Sequence, residues 1–222
     1  MDCQQGNGLS TGKMKARMRK ITEPKYHHGD LRRAVLEAAL ELIEESGVSS
    51  LSLREIARRI GVTTAAPYHH FKDRGELLLQ IGMQGYGQLL HILEQAAVTA
   101  SGVEDECEAE FRAYLHFARE HAASYAVMFS AELAQHEYSV KVKTIADRCF
   151  ALVCASVARS RKLSERMSAE AALSIWALLH GMVVLDQGNL LQESRPEQER
   201  IAVQGALAVL RGLSEQRDRA VT

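Results

Sequence analysis

Apolar residues recur along this chain at helical spacing. Leu31, Val35, Ala38, Ala39, Leu42 and Ile43 fall at i, i+4, i+7, i+8, i+11 and i+12, a stripe along one face of a helix. Asp30 is placed to cap its start, and Gly47 to supply the left-handed residue at its end. Ser52-Leu53-Arg54-Glu55 has the form of a capping box, in which serine and glutamate satisfy each other's orphan amides. It opens a short helix carrying Leu53, Ile56, Ala57 and Ile60, which stops at Gly61. A third short helix follows almost at once. Two short helices joined by a tight glycine-containing turn form the helix-turn-helix pattern.

Beyond residue 74 the apolar periods lengthen and predict helices near 75–97, 104–121, 124–135, 137–161, 168–191 and 197–213, with breaks at 99–103, 162–167 and 192–196. Few β-branched alternations and three prolines in 222 residues complete an all-α reading. Three parts are expected: a basic N-terminal arm over 1–27, a three-helix helix-turn-helix domain over 28–74, and a larger helical domain over 75–222. Charge sharpens the division. Residues 1–74 hold 13 Lys+Arg against 9 Asp+Glu, a net of +4, whereas residues 75–222 carry a net of −5. A basic front and an acidic rear imply an anionic partner for the front alone.

The run GVTTAAPYHHFKDRGELL, residues 61–78, concentrates the chemistry. Proline lacks an N–H and clashes with the preceding turn, so Pro67 belongs in the first turn of a helix. That puts the N-cap at Thr64, with Ala65, Ala66 and Pro67 as the first helical positions. Thr63 and Thr64 hydroxyls and the small Ala65 and Ala66 suit a helix end that approaches a nucleic-acid groove closely. Backbone amides there can bond phosphate oxygens. Tyr68, His70, Lys72 and Arg74 add further donors, while Phe71 is assigned to the core. For Tyr68 a buried ring with a satisfied hydroxyl is the competing reading. Adjacent His69 and His70 point about 100° apart on a helix and cannot share one ion. His116 and His121 lack a third ligand, so no metal and no cofactor is called for.

Gly47, then Ser50-Leu51-Ser52-Leu53-Arg54-Glu55-Ile56-Ala57, then Gly61-Val62, then Tyr68-His69-His70-Phe71-Lys72-Asp73-Arg74 and Glu76-Leu77-Leu78 resemble the DNA-binding domain of TetR/AcrR-family transcriptional regulators. Pro67 stands where leucine is commoner, and Arg74-Gly75 replaces the usual Lys-Glu. Tyr114 to His121, Tyr125 to Phe129, and Trp176 with His180-Gly181 are similar to the C-terminal domain subtype named for its Trp-His-Gly signature. The resemblance implies an Ω-shaped homodimer, a ligand cavity within the middle helices, and a four-helix interface from the last two long helices of each protomer.

Carried over position by position, the resemblance implies DNA contacts at Arg54, Thr63, Thr64, Ala65, Tyr68, His70, Lys72 and Arg74. Arg54 and Thr64 are the candidates for base edges; Tyr68, His70, Lys72 and Arg74 are the candidates for phosphates. Lys13, Lys15, Arg17, Arg19, Lys20 and Lys25 would follow the backbone, enter a minor groove, or serve solubility. The effector cavity is assigned to Tyr86, Leu90, Phe111, Tyr114, Phe117, Tyr125, Met128, Phe129, Phe150 and Trp176, as a set of aromatics and methionines that a core would also use. The dimer interface is assigned to Trp176, His180, Val184, Leu207 and Leu210; for His180 a satisfied buried position is the alternative. The expected partners are operator DNA, a small-molecule effector and a second copy of the chain.

Other classes are weaker. The N-terminus has no apolar core of a secretory signal, and no apolar run reads as a membrane span, which points to the cytoplasm. Cys3, Cys107, Cys149 and Cys154 show no CxxC spacing and read as reduced thiols, with a redox role for Cys149 or Cys154 as the rival. The sequence shows no nucleophile beside a base, no Gly-rich phosphate loop and no paired carboxylates in an apolar setting, so an enzyme is not expected. A helical adaptor would leave Arg54, Tyr68 and Lys72 as plain surface.

Overall fold

A computed structural model describes residues 28–135 and 139–221, all helix and connecting turns. The basic arm lies outside the described residues. The front begins with α1 (His28–Ser46), a 3-10 turn at Val48–Ser50, α2 (Leu53–Arg59) and a second 3-10 turn at Ala66–His69. The rear comprises α3 (Arg74–Thr99), α4 (Val103–Glu120), α5 (Ala122–Met128), α6 (Ala131–Ala134), α7 (Ser139–Arg161), α8 (Glu165–Gln187) and α9 (Arg195–Val221).

The front core is the stripe read from the sequence: Val35, Ala39, Leu42 and Ile43 of α1 meet Leu53 and Ile56 of α2, with Phe71 beneath them. Gly47 and Gly61 both hold positive φ, 80° and 71°, where a β-carbon is disfavoured. Two local expectations are corrected. Helix α1 starts at His28, so Asp30 lies within the helix and not at the position before it. Ser52 Oγ accepts the Glu55 N–H at 3.5 Å, but the Glu55 carboxylate is taken by Arg58 at 2.6 and 2.9 Å. Only the serine half of the capping box forms.

A cap not read from the sequence sits at the start of α3, where the N-cap is Asp73 and the glutamate reaches the residue before it. Asp73 Oδ1 accepts the Glu76 N–H at 2.9 Å, and Glu76 Oε2 accepts the Lys72 N–H at 2.6 Å. This reciprocal cap lets α3 begin at once after the front domain. Helix α3 then packs on α4, α5, α6 and α7. Gly82 and Gly85 lie at its contact with the short helices, where a β-carbon at Gly85 would sit 2.7 Å from Met128 Sδ and one at Gly82 2.5 Å from Leu133 Cδ2, so that either side chain would have to shift.

The single helix expected over 124–135 is two helices. Ser130 interrupts it, its Oγ accepting the Leu133 N–H at 3.2 Å and so starting α6 afresh. The reading of no membrane-length apolar run also needs amendment. Helix α8 is long and apolar enough by composition, with a mean hydropathy of 1.5 over its richest window. Its Ala171, Ala172, Ile175, Leu179 and Val183 face the protein core, while only 33% of that window is buried within the protomer.

Candidate nucleic-acid interface and effector cavity

An α-helix capped at Thr64 would place Pro67 third, where no intrahelical N–H is needed. The chain adopts i→i+3 bonds instead: Ala66 N–H to Thr63 O at 3.0 Å, Tyr68 N–H to Ala65 O at 3.1 Å, and His70 N–H to Pro67 O at 3.0 Å. The expected α-helix capped by Thr64 is therefore a four-residue 3-10 turn whose N-cap position is Ala65. So short a turn sums to no useful macrodipole, and recognition at this end rests on side chains and exposed amides.

Arg54, Thr63, Thr64, Ala65, Tyr68 and Lys72 are all exposed, and the Tyr68 ring is 47% accessible, so the competing buried-ring reading fails. Among the described residues no hydrogen bond or ion pair engages the side chains of Arg54, Thr64, Tyr68 or Lys72. Neighbouring cations are committed elsewhere. Arg58 pairs with Glu55; Arg59 holds Glu45 of α1 at 2.9 Å; the Arg32 guanidinium lies 5.3 Å from the Phe71 ring centroid. His70 is half-buried.

Arg74 is a correction. Its Nε donates to Leu51 O at 3.0 Å, its terminal nitrogen donates to Val48 O at 2.8 Å, and Glu132 of α6 lies 3.6 Å away. A guanidinium spent on two carbonyls and a carboxylate ties the front domain to the rear, so it is withdrawn as a phosphate ligand.

The rear holds a partly open cavity of about 470 Å³ between α3, α4, α7 and α8. Tyr86, Phe111, Tyr114, Phe129, Phe150 and Trp176 line it, as expected from the sequence. Leu90, Phe117, Tyr125 and Met128 do not. Leu90 and Phe117 are buried in the helix packing; Met128 Sδ fills the notch at Gly85; and the Tyr125 hydroxyl lies behind the wall, 2.6 Å from Tyr114 Oη and 2.6 Å from His180 Nδ1. Burial raises the Tyr114 hydroxyl to about 12 and pushes Tyr125 higher still, so both stay protonated. None of His91, His116, His121 or His180 lines the cavity. Burial lowers the His180 pKa and favours its neutral ring.

The sequence reading missed Glu110. It sits fully buried on the apolar stripe of α4 and lines the cavity, its Oε1 accepting from Ser156 Oγ at 2.6 Å. Glu106, one turn earlier, also accepts from Ser156, at 3.2 Å, and pairs with Arg159. Paired carboxylates in an apolar setting therefore do exist. The available signal was a glutamate in register with Cys107, Phe111 and Tyr114. Cys107 and Cys149 are buried free thiols, each raised by desolvation to about 11, which suits inert packing better than redox chemistry.

Comparison with known proteins decides the family. Residues 35–81 match the family profile described as bacterial regulatory proteins, tetR family, and residues 108–210 match the profile for the tetracyclin repressor-like C-terminal domain. A solved protein of unknown function from Rhodococcus sp. RHA1 is 31% identical, with a TM-score of 0.73 over 86% of this chain and 100% of that one.

The chain belongs to the TetR family.

As a TetR-family member it is a transcriptional regulator with an N-terminal DNA-binding domain. The HTH-type transcriptional regulator AcrR of Shigella flexneri is 48% identical over 52 residues, 23% of this chain and 24% of AcrR. The match thus spans about a quarter of that relative. The HTH-type transcriptional activator FasR of Mycolicibacterium smegmatis is 24% identical over 175 residues, 78% of each chain. The rear match is to the TetR-like C-terminal domain as a whole and does not speak to the Trp-His-Gly subtype.

On the outer side of α8, Leu173, Trp176, Val184 and Leu185 remain 39–54% exposed, and Ile201 of α9 adds to the exposed apolar surface at 41%. His180 and Leu207 are half-buried. Leu210 is completely buried within the protomer and is removed from the dimer-interface assignment.

Proposed function

We propose that this TetR-family regulator binds a palindromic operator as a homodimer, represses transcription, and is released when a small molecule enters the cavity. The observation that carries this reading is the continuity of α3. Its first residue, Arg74, clasps the front domain, and Tyr86, Leu89 and Leu93 on the same helix line the cavity. Anything that shifts α3 within the rear also shifts the helix-turn-helix.

Arg54 and Thr64 read base edges, while Thr63, Ala65, Tyr68, His70 and Lys72 hold the phosphate backbone. The exposed apolar residues of α8, with Leu207 of α9, pair with a second copy. Effector and DNA each select a different spacing of the two reading heads, and a reciprocal coupling of about 1–3 kcal/mol is enough for useful induction. Half-sites lie about 34–36 Å apart, or a multiple of that. Repression is preferred over activation on the repressor-like description of the C-terminal domain; the activator FasR is the counterexample that makes the sign worth measuring.

The test is selection of bound sequences from random duplex DNA with the purified full chain, with its mass in solution measured by light scattering. An enriched inverted repeat bound by two copies is expected. Enrichment of no sequence, or binding as a monomer, removes the proposal.

A further inference from the structure

This inference rests on the effector-released reading above and names the chemical class that the cavity takes. The wall is mainly aromatic and aliphatic, and its hydroxyl and indole groups are already engaged. Tyr86 Oη donates to Met128 O at 3.3 Å, and Trp176 Nε1–H donates to Tyr114 Oη at 3.2 Å. Tyr114 in turn shares its hydroxyl with Tyr125.

Glu110 differs. Its Oε1 is satisfied by Ser156, but its Oε2 is buried with no hydrogen-bond partner among the described residues. The adjacent guanidinium of Arg159 bonds Glu106 and Ser156 instead. No lysine, arginine or histidine lines the cavity; its other carboxylates are Asp147 and Glu170. Those two are exposed and sit in i,i+4 pairs with Lys143 and Arg166, so solvent screens them. A buried acceptor left open is costly, and burial accordingly pushes Glu110 up to about 7. A cationic donor would satisfy the acceptor and hold the carboxylate ionised, and electron-rich ring faces attract the same charge.

We propose that the effector is a lipophilic amine or related N–H cation, whose charged group donates to Glu110 Oε2 while its apolar body lies against Phe150 and Trp176. The cavity, at about 470 Å³, has room for a two-ring amine.

The test is calorimetric titration of the full chain with three probes of one shape: 2-naphthylmethylamine, 2-naphthalenemethanol and 2-naphthoate. The amine binds at least about tenfold tighter than the alcohol, since a hydrogen bond to a charged group exceeds a neutral one by roughly that factor, and the carboxylate binds weakest. Glu110→Gln reduces the amine to the affinity of the alcohol and leaves the alcohol unchanged. Equal affinities for amine and alcohol, tightest binding of the carboxylate, or no binding by any probe overturns the proposal. So does an amine preference that survives Glu110→Gln or vanishes instead in Asp147→Asn/Glu170→Gln. Should Glu110→Gln fail to fold, the order of the three probes on the natural chain decides. Operator binding measured alongside separates the two readings. Amine preference at Glu110 without operator release overturns the effector reading alone; release by neutral or anionic compounds but not by amines overturns the cation assignment alone.

Discussion

The Arg74 guanidinium donates to the Leu51 carbonyl oxygen at 3.0 Å, across the seam between the helix-turn-helix and the rear domain. Lys72, two residues earlier, is exposed and makes no such bond. These two cations thus serve different ends. Lys72→Ala should flatten the dependence of log affinity on log salt by about one unit, because one phosphate contact is lost. Arg74→Ala should lower unfolding free energy by about 1–3 kcal/mol, leaving two carbonyls without their donor, while the salt slope of the folded protein stays unchanged. Salt titrations of operator binding together with urea melts check both; a reduced slope in Arg74→Ala would restore it as a phosphate ligand.

Glycines in the middle of α3 separate packing from propensity. At Gly85 a β-carbon would meet Met128 Sδ at 2.7 Å, whereas at Gly87 nothing lies within 4 Å. Gly87→Ala should stabilise by up to about 1 kcal/mol through helix propensity alone. Gly85→Ala gains the same propensity but loses about 1–3 kcal/mol to overpacking, so it should be neutral to destabilising. Thermal melts of the two variants should therefore move apart. Equal stabilisation by both would show that α5 does not approach α3 as closely as described.

Glu110 gives stability a pH dependence of definite sign. Its carboxyl titrates near 4.5 when solvated and about 7 when folded, so the unfolded chain releases its proton first as pH rises. The contribution is complete below 4.5 and is lost progressively by about pH 7, to a total of roughly 3 kcal/mol. Glu110→Gln, which has no such proton, should gain stability relative to the natural chain across that interval and hold the gain above it. Urea melts at several pH values check the trend; a constant difference between the two proteins rules it out.

His180 works in the opposite direction. Burial lowers its pKa in the folded state, so the stability it contributes is present above the ordinary histidine range and falls away as pH drops through it. Tyr125→Phe removes the hydroxyl that lies 2.6 Å from both His180 Nδ1 and Tyr114 Oη. A loss of about 1 kcal/mol is expected from the lost hydrogen bonds, because Tyr114 Oη keeps Trp176 Nε1–H and lies 3.4 Å from His180 Nδ1. The imidazole titration followed by NMR should lie below 6.5 in the natural chain.

Much of this architecture was legible because it rests on local rules. The α1 stripe, the positive-φ glycines and the long rear helices follow from periodicity and backbone sterics, and the helix-turn-helix could be placed from them. Several misses share a cause: the outcome depended on a partner distant in sequence. Arg74 reads as one more cation until Leu51, Val48 and Glu132 are brought around it. Leu210 and Tyr125 look like interface and pocket residues until the packing of their neighbours is known. At Pro67 the first-turn rule was sound, yet it fixed only where the proline could stand. It did not fix the i→i+3 bonding of the turn around it. Glu110 was visible as a charge on an apolar stripe, but only the fold shows a cavity beside it.

The unbroken course of α3 restricts how this chain can change over generations. Adding or deleting one residue between Tyr86 and Arg74 would swing the reading head by about 100° around the axis and shift it by about 1.5 Å. Side chains along that stretch can drift while its length stays fixed. The turns at 100–102 and 188–194 face no such arithmetic and are where homologous chains should vary in length.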